Sequence, residues 1–122
     1  MFGSHETRMK RRYCLTLDLK DDPKLIAEYR EYHEAVWPEV TGCLHETGIL
    51  DMELYLLGTR LIMVIEVDEK FSFERKANIE RDNPKVQEWE RLMWKYQTAV
   101  PLAKPGEKWA LMERVFKLGP KP

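Results

Sequence analysis

Tyr29 and His33 are the side chains of this sequence whose types and spacing are best suited to chemistry. Residues four apart are neighbours on a helix surface, so these two lie on one face if the stretch is helical. Pro38 lacks a backbone N–H and disfavours helix before it, which predicts a helix end near Val36 or Trp37. An imidazole with an ordinary pKa of about 6.5 exchanges protons near neutrality. The pattern therefore predicts a proton-transferring group beside a phenolic hydroxyl at a helix end.

The residues alone leave structural roles open for both side chains. A single histidine on a partly apolar helix face is more often a structural residue than a catalyst. Tyr29 lies near Leu25, Ile26 and Tyr32 on the predicted helix, which is equally typical of core packing. Proton transfer and packing therefore both remain as interpretations.

The composition indicates one domain and argues against several classes of partner. The chain has 122 residues, with 20 Lys and Arg interspersed among 21 Asp and Glu and a net charge of −1. This length fits a single domain with a real core, and the mixed charges form no basic stripe for nucleic acid. No apolar stretch reaches membrane-spanning length and no signal-peptide segment is present, so we expect no membrane partner and a cytoplasmic protein.

The N-terminal tail and the two cysteines add no predicted site. Residues 1–8 read as a disordered or expression-derived tail, because Gly3-Ser4-His5 resembles a cloning scar, and residues 9–122 as the domain. Cys14 and Cys43 have no neighbouring Cys or His at metal-ligand spacing. We therefore expect two free thiols and no metal site.

Hydrophobic periodicity and turn signals predict the elements that position these side chains. Asp22-Pro23 and Asn83-Pro84 each combine an N-cap with a proline at the first helical position. The predicted helices cover Pro23 to about His33, Pro38 to before Gly48, Phe71 to Glu80 and Pro84 to about Val100, and the predicted strands cover Tyr13 to Leu19, Ile49 to Leu57, Leu61 to Asp68 and Lys108 to Leu118. This β-α-β-β-α-β order predicts an α+β, ferredoxin-like split βαβ fold, a four-stranded antiparallel sheet with helices on one face.

The third predicted strand is apolar on both faces. Its residues 61–65 and Val67 leave almost no polar alternation, and strands with this pattern are buried on both sides. One face meets the helices, so we expect the other to meet a second copy of the chain. The predicted assembly is a homodimer packed sheet on sheet, a dimeric α+β barrel.

Trp94 lies off the apolar face of the last predicted helix. At about 100 degrees per residue, that face consists of Val86, Trp89, Met93, Tyr96 and Val100. A large aromatic side chain away from this face is a partner contact, a packing residue against a loop or a platform for a ligand.

Several motifs resemble the L-rhamnose mutarotase family, which includes relatives that act on L-fucose. They are Glu28-Tyr29-x-x-x-His33-x-x-x-Trp37-Pro38-Glu39, Trp94-Lys95-Tyr96 and Val64-Ile65-Glu66-Val67, and the resemblance extends from Arg12 to Leu118. It implies ferredoxin-like subunits that dimerise through their sheets. It also implies an enzyme that interconverts the α and β anomers of a 6-deoxy sugar without a metal or organic cofactor.

The resemblance implies roles for individual residues. His33 matches the family's acid/base histidine, Tyr29 its sugar-contacting tyrosine and Trp94 the second of two adjacent tryptophans. Met93 stands where the first of those tryptophans is expected, and Met52 stands where the rhamnose enzymes have a tyrosine. Both flexible thioethers are expected beside the sugar, near its 6-methyl group.

Glu66 and three further motifs bear on sugar recognition. Glu66 interrupts the apolar third strand, where a buried hydrogen-bonding role and a contact to a sugar hydroxyl are both open. The segments Gln87-Glu88-Trp89-Glu90, Leu92-Met93-Trp94 and Pro105-Gly106-Glu107-Lys108-Trp109 look more like the members that act on L-fucose. The expected substrate is therefore L-fucose or L-rhamnose.

Two other classes of function are compatible with the predicted fold. Cofactor-free monooxygenases and haem-degrading enzymes are also dimeric ferredoxin-like proteins, and a haem could take His33 as an axial ligand. The mixture of Tyr, His and charged residues here favours a polyol instead. A non-catalytic small-molecule-binding module is the third reading, since a fold does not fix a function.

Overall fold

A computed structural model describes residues 11–122, which form five strands and four helices. The strands are β1 (Arg11–Leu19), β2 (Ile49–Leu57), β3 (Arg60–Val67), β4 (Gln97–Thr98) and β5 (Ala110–Leu111), and the helices are α1 (Pro23–Tyr32), α2 (Pro38–Glu46), α3 (Phe73–Arg81) and α4 (Pro84–Met93). The predicted tail, residues 1–8, lies outside the described residues. Among the described residues, none of the helices is both long and apolar enough to cross a membrane.

The strands form one antiparallel sheet in the order β2-β3-β1-β4. β3 pairs with β1 from Arg60 to Val67 and with β2 along nearly its whole length, so it lies in the interior of the sheet. The short strands β4 and β5 both pair with the free edge of β1, at Leu19↔Gln97 and at Thr16↔Ala110. This arrangement confirms the predicted α+β fold, with two short strands in place of one long fourth strand.

Local capping explains where the helices begin. The Asp22 carboxylate accepts hydrogen bonds from the N–H groups of Lys24 and Leu25 at the start of α1. The Asn83 side chain does the same for Lys85 and Val86 at the start of α4. Both N-caps predicted from the sequence are confirmed, and they fix the starts of the two helices that carry the candidate site.

The helix α2 ends before Gly48, as predicted, and the backbone conformation at Gly48 requires glycine. Its φ is +104°, and a Cβ there would lie 2.5 Å from the Asp68 Oδ1 atom and 3.1 Å from the Phe71 backbone nitrogen. Only glycine takes this conformation without a steric penalty.

The last helix is shorter than predicted. It ends at Met93 with Trp94 as its C-cap, whereas the periodicity predicted helix to about Val100. The Tyr96 carbonyl accepts a hydrogen bond from the Lys20 N–H at 2.8 Å, and Gln97 pairs with Leu19. Tyr96 and Val100 are buried as expected, but the backbone from Tyr96 to Thr98 pairs with the end of β1 instead of continuing the helix.

The predicted fourth strand, Lys108 to Leu118, is also mostly wrong. Only Ala110 and Leu111 pair with β1, and the Met112 N–H donates the last bond, to the Cys14 carbonyl. Val115, Phe116 and Leu118 are exposed. Without a packed layer on either side, their alternating pattern does not form a strand in the single chain, because β preference depends on packing.

Candidate active site

A cavity of about 660 Å³ lies between the helices and the inner face of the sheet. Its wall combines apolar side chains from α2, α4 and β2 with a smaller number of polar ones. Four of the six predicted site residues line it: Tyr29, His33, Met52 and Met93. A concave, mainly apolar site with a few convergent polar groups is typical of a small-molecule pocket.

His33 lies at the end of α1, as its spacing from Pro38 predicted. It is the C-cap residue, and its Nδ1 lies 2.8 Å from the Tyr29 carbonyl oxygen. Because a carbonyl oxygen only accepts, Nδ1 carries the proton and donates, which leaves Nε2 with a free lone pair. Burial lowers the pKa of His33 below its usual value, and the hydrogen bond to the Tyr29 carbonyl partly opposes this effect. The neutral imidazole, with Nε2 as a base, is therefore the favoured form near neutrality.

Tyr29 is a buried phenol held against His33. The centroids of the two rings are 4.3 Å apart, and the Tyr29 hydroxyl oxygen accepts a hydrogen bond of 3.0 Å from Gln97 Nε2. Burial raises the pKa of Tyr29 to about 12; the Glu90 charge adds to this effect, and the Gln97 bond opposes it. Tyr29 therefore stays protonated and can donate a hydrogen bond into the cavity.

The two predicted methionines form part of the apolar wall. Met93 is buried at the end of α4, and Met52 is half-buried on β2. Val36, Val40 and Leu54 continue the same wall. These side chains provide apolar contacts for a methyl or C–H surface of a ligand.

Trp94 and Glu66 are not brought to this cavity. Trp94 is 47% exposed, and the Lys108 ammonium lies 4.9 Å from its ring centroid. Glu66 lies on the opposite, helix-free face of the sheet, in a depression with Glu53 and Tyr55, and forms an ion pair with Arg12 at 3.5 Å. Their roles in binding the sugar therefore stay predictions from the sequence.

Several polar residues of the cavity wall were missed in the sequence, among them Glu90, Gln97 and Lys108. Lys108 Nζ lies 2.5 Å from Glu90 Oε1, and the Lys108 side chain is only 11% exposed. Gln97 is buried next to Tyr29. A local signal existed for Glu90, which lies three residues before Met93 and so shares its helix face. Gln97 and Lys108 come from segments whose positions depend on pairing with β1.

Within residues 11–122, no group of three or more His, Cys, Asp or Glu side chains is arranged to hold a metal ion. Cys14 and Cys43 are free thiols, as predicted. The polar groups of the cavity wall include the imidazoles of His33 and His45, the Tyr29 phenol, the buried Gln97 amide and two ion pairs, Lys76–Glu80 and Glu90–Lys108.

Comparison with known proteins finds relatives that match most of this chain. The family model described as L-rhamnose mutarotase matches residues 12–118. An L-fucose mutarotase from Xanthomonas campestris pv. campestris is 43% identical over 109 residues, covering 88% of this chain and 87% of the relative.

Two solved structures share the fold at low sequence identity. An L-rhamnose mutarotase from Formosa agariphila superposes with a TM-score of 0.66 at 19% identity, covering 89% of this chain and 99% of the other. The tetracenomycin F2 cyclase of Streptomyces glaucescens, a type II polyketide cyclase, gives a TM-score of 0.57 at 19% identity, covering 92% and 99%. The subunit fold is that of the dimeric α+β barrel proteins. Since the family model spans nearly the whole domain and the Xanthomonas relative matches over most of both chains, this chain belongs to the L-rhamnose mutarotase family.

Proposed function

We propose that this protein is a mutarotase that interconverts the α and β anomers of a 6-deoxyhexose, L-fucose or L-rhamnose. The observation that carries the proposal is the hydrogen bond from His33 Nδ1 to the Tyr29 carbonyl. It fixes Nε2 as a proton acceptor in a cavity large enough for a monosaccharide. None of the relatives named above is a monooxygenase or a haem protein, which leaves those alternatives without support.

The proposed reaction moves one proton out and one proton in. His33 Nε2 takes the proton of the anomeric hydroxyl, the electron pair of that oxygen forms the aldehyde carbonyl, and the bond from C1 to the ring oxygen breaks. The imidazolium then protonates the ring oxygen, which becomes a free hydroxyl. After rotation about C1–C2, closure on the other face of the carbonyl reverses both transfers. One imidazole serves both steps because it alternates between its two forms.

The other cavity residues have supporting roles in the proposal. The protonated Tyr29 hydroxyl donates to a sugar oxygen, and Met52 and Met93 contact the 6-methyl group. The Glu90–Lys108 ion pair is balanced in charge, so it offers a neutral polyol both a donor and an acceptor without favouring an ionic ligand.

The direct test is anomer exchange measured by saturation-transfer proton NMR on L-fucose and L-rhamnose. A protein that binds either sugar without accelerating exchange would be a binding module. A Soret band on addition of haem would instead support the haem-binding class.

The pH dependence of the reaction should follow the lowered pKa of His33. The neutral imidazole is the active form, and a lowered pKa keeps it neutral to a lower pH. We therefore expect kcat/KM, corrected for uncatalysed exchange, to be constant near neutrality and to fall only on acidification below about 6.5, the ordinary histidine pKa. An exchange rate that is half-maximal at or above that value would contradict the assigned role.

We further propose that the protein is a homodimer that buries the helix-free face of each sheet. The centre of this face is apolar, with Cys14 and Met112 in contact at 3.8 Å and with Ile62 and Val64 half-exposed in the single chain. Charged residues lie beside it, with Arg12 and Glu66 near the ends of β1 and β3 and Glu53 on the edge strand β2. An apolar centre with a polar rim is typical of a protein interface.

A cytoplasmic location is also part of the proposal. Both cysteines of the sequence, Cys14 and Cys43, are free thiols. Unpaired cysteines are usual in reducing compartments, where disulfides seldom persist.

A further inference from the structure

Gln97 is a deeply buried polar side chain of the cavity wall. It is 3% exposed, and its backbone is held by pairing with Leu19 at the edge of β1. Its Nε2 donates to the Tyr29 hydroxyl oxygen at 3.0 Å. Its Oε1 has no hydrogen-bond partner among the residues that the structure describes.

A buried carbonyl oxygen without a partner is destabilising, and nearly all such groups in folded proteins are paired. The Gln97 side chain lines the same cavity as Tyr29 and His33. A ligand in that cavity can therefore supply the missing donor.

The Tyr29–Gln97 pair offers a defined set of hydrogen bonds. With one Nε2 N–H donating to Tyr29, the free groups are the second Nε2 N–H and the Tyr29 O–H as donors and the Gln97 Oε1 as an acceptor. If the amide is rotated by half a turn, the Tyr29 O–H donates to Oε1 instead. The Nε2 N–H groups are then free as donors, and a lone pair of the Tyr29 oxygen is free as an acceptor. In either orientation the pair presents at least one donor and at least one acceptor.

This combination distinguishes between ligand groups. A carboxylate only accepts and an ammonium only donates, so each would leave one half of the pair unsatisfied. A hydroxyl both donates and accepts, and therefore satisfies both halves at once.

We propose that Gln97, together with Tyr29, is the specificity-determining element that binds one ring hydroxyl of the sugar. This inference rests on the proposed mutarotase function and names a recognition residue for it. The hydroxyl is one of those on C2, C3 or C4, because the anomeric oxygen and the ring oxygen take part in the reaction and C6 carries none. A buried site built to hydrogen-bond a hydroxyl rejects an analogue that lacks it, because its own groups are then left unpaired.

The test uses whichever of L-fucose and L-rhamnose exchanges faster, with its 2-deoxy, 3-deoxy and 4-deoxy derivatives. For each sugar, kcat/KM for anomer exchange is divided by the uncatalysed rate, since removal of a hydroxyl also changes the spontaneous reaction. In the wild-type protein, loss of one particular hydroxyl should lower this ratio by about 10- to 100-fold. In Gln97→Met, loss of that same hydroxyl should lower the ratio by less than about threefold. Removing either of the other two hydroxyls should have the same effect on this variant as on the wild type.

Two further variants keep the test decisive. Gln87→Met is the matched control: Gln87 lies on α4, its Nε2 donates to the Glu80 carbonyl at 3.0 Å, and it does not line the cavity. It should retain the full wild-type response to all three deoxy sugars. Tyr29→Phe removes the hydroxyl of the other residue of the pair, so removal of the same sugar hydroxyl should no longer lower the ratio. This variant replaces Gln97→Met in the test if Gln97→Met does not fold.

The outcomes separate this inference from the function on which it rests. If the wild-type protein accelerates exchange but Gln97→Met keeps the wild-type response to every deoxy sugar, the inference is wrong and the mutarotase function stands. The same holds if Gln97→Met reduces kcat/KM by one common factor for all sugars, which would indicate a packing role. If the wild-type protein accelerates exchange of neither sugar, the proposed function fails and this inference fails with it.

Discussion

The His33→Asn substitution should slow catalysed anomer exchange by roughly 10²- to 10⁴-fold, the usual contribution of a general acid/base. Asparagine can keep a donor near the Tyr29 carbonyl, which His33 Nδ1 contacts at 2.8 Å. It has no titrating group in place of Nε2. We therefore expect the loss in kcat, with little change in sugar affinity or melting temperature.

His45 provides the matched comparison for this substitution. Its Nδ1 also lies near a carbonyl oxygen, that of Ile49 at 3.2 Å, and it is an exposed residue at the cavity wall. His45→Asn should exchange anomers within about threefold of the wild-type rate, far from the loss expected of a general acid/base. Wild-type exchange by His33→Asn would remove His33 from the mechanism.

The Val64→Lys substitution should weaken the proposed dimer by roughly 100-fold or more. Val64 lies near the centre of the helix-free face, paired with Cys14 on one side and Glu53 on the other. An isologous interface contains every substitution twice, so each dimer would bury two added ammonium groups. Removing each from water costs several kcal/mol, which an ion pair with the neighbouring Glu53 does not fully offset. In the single chain Val64 is half-exposed, so the monomer should still fold.

Sedimentation velocity at micromolar concentration measures the effect. The control is Leu102→Lys, which adds the same charge at a loop residue that is 95% exposed and should leave the dimer intact. A wild-type protein that sediments as a monomer would contradict the proposed assembly, and so would an unchanged dimer in Val64→Lys.

The beginnings of the helices could be predicted because their causes are local. Asp22, Asn83 and the prolines that follow them act within a few residues, so reading the sequence identified α1 and α4. The end of α4 could not be predicted in the same way. Tyr96 and Val100 continue the helical period, but the backbone from Tyr96 to Thr98 pairs with the end of β1, a contact between residues far apart in sequence.

The candidate site also combines residues that local spacing predicts with residues that reach it through contacts distant in sequence. Tyr29 and His33 are four residues apart on one helix, and the structure brings them together in the cavity as predicted. Gln97 and Lys108 reach the cavity only because two short segments return to the edge of β1. Helical periodicity correctly predicted that Trp94 lies outside the core, because Trp94 is off the apolar face of the helix. The same periodicity could not predict whether Trp94 lines the cavity.

The central claim, that this protein catalyses anomer exchange of a 6-deoxyhexose, is tested most directly by saturation-transfer proton NMR on the wild-type protein. The H1 signal of one anomer is saturated and the H1 signal of the other is followed, because only ring opening and closure transfers the saturation. We expect micromolar protein to reduce the second signal of L-fucose, L-rhamnose or both, well beyond the uncatalysed exchange. Equal signals with and without protein, for both sugars at neutral pH, would contradict it.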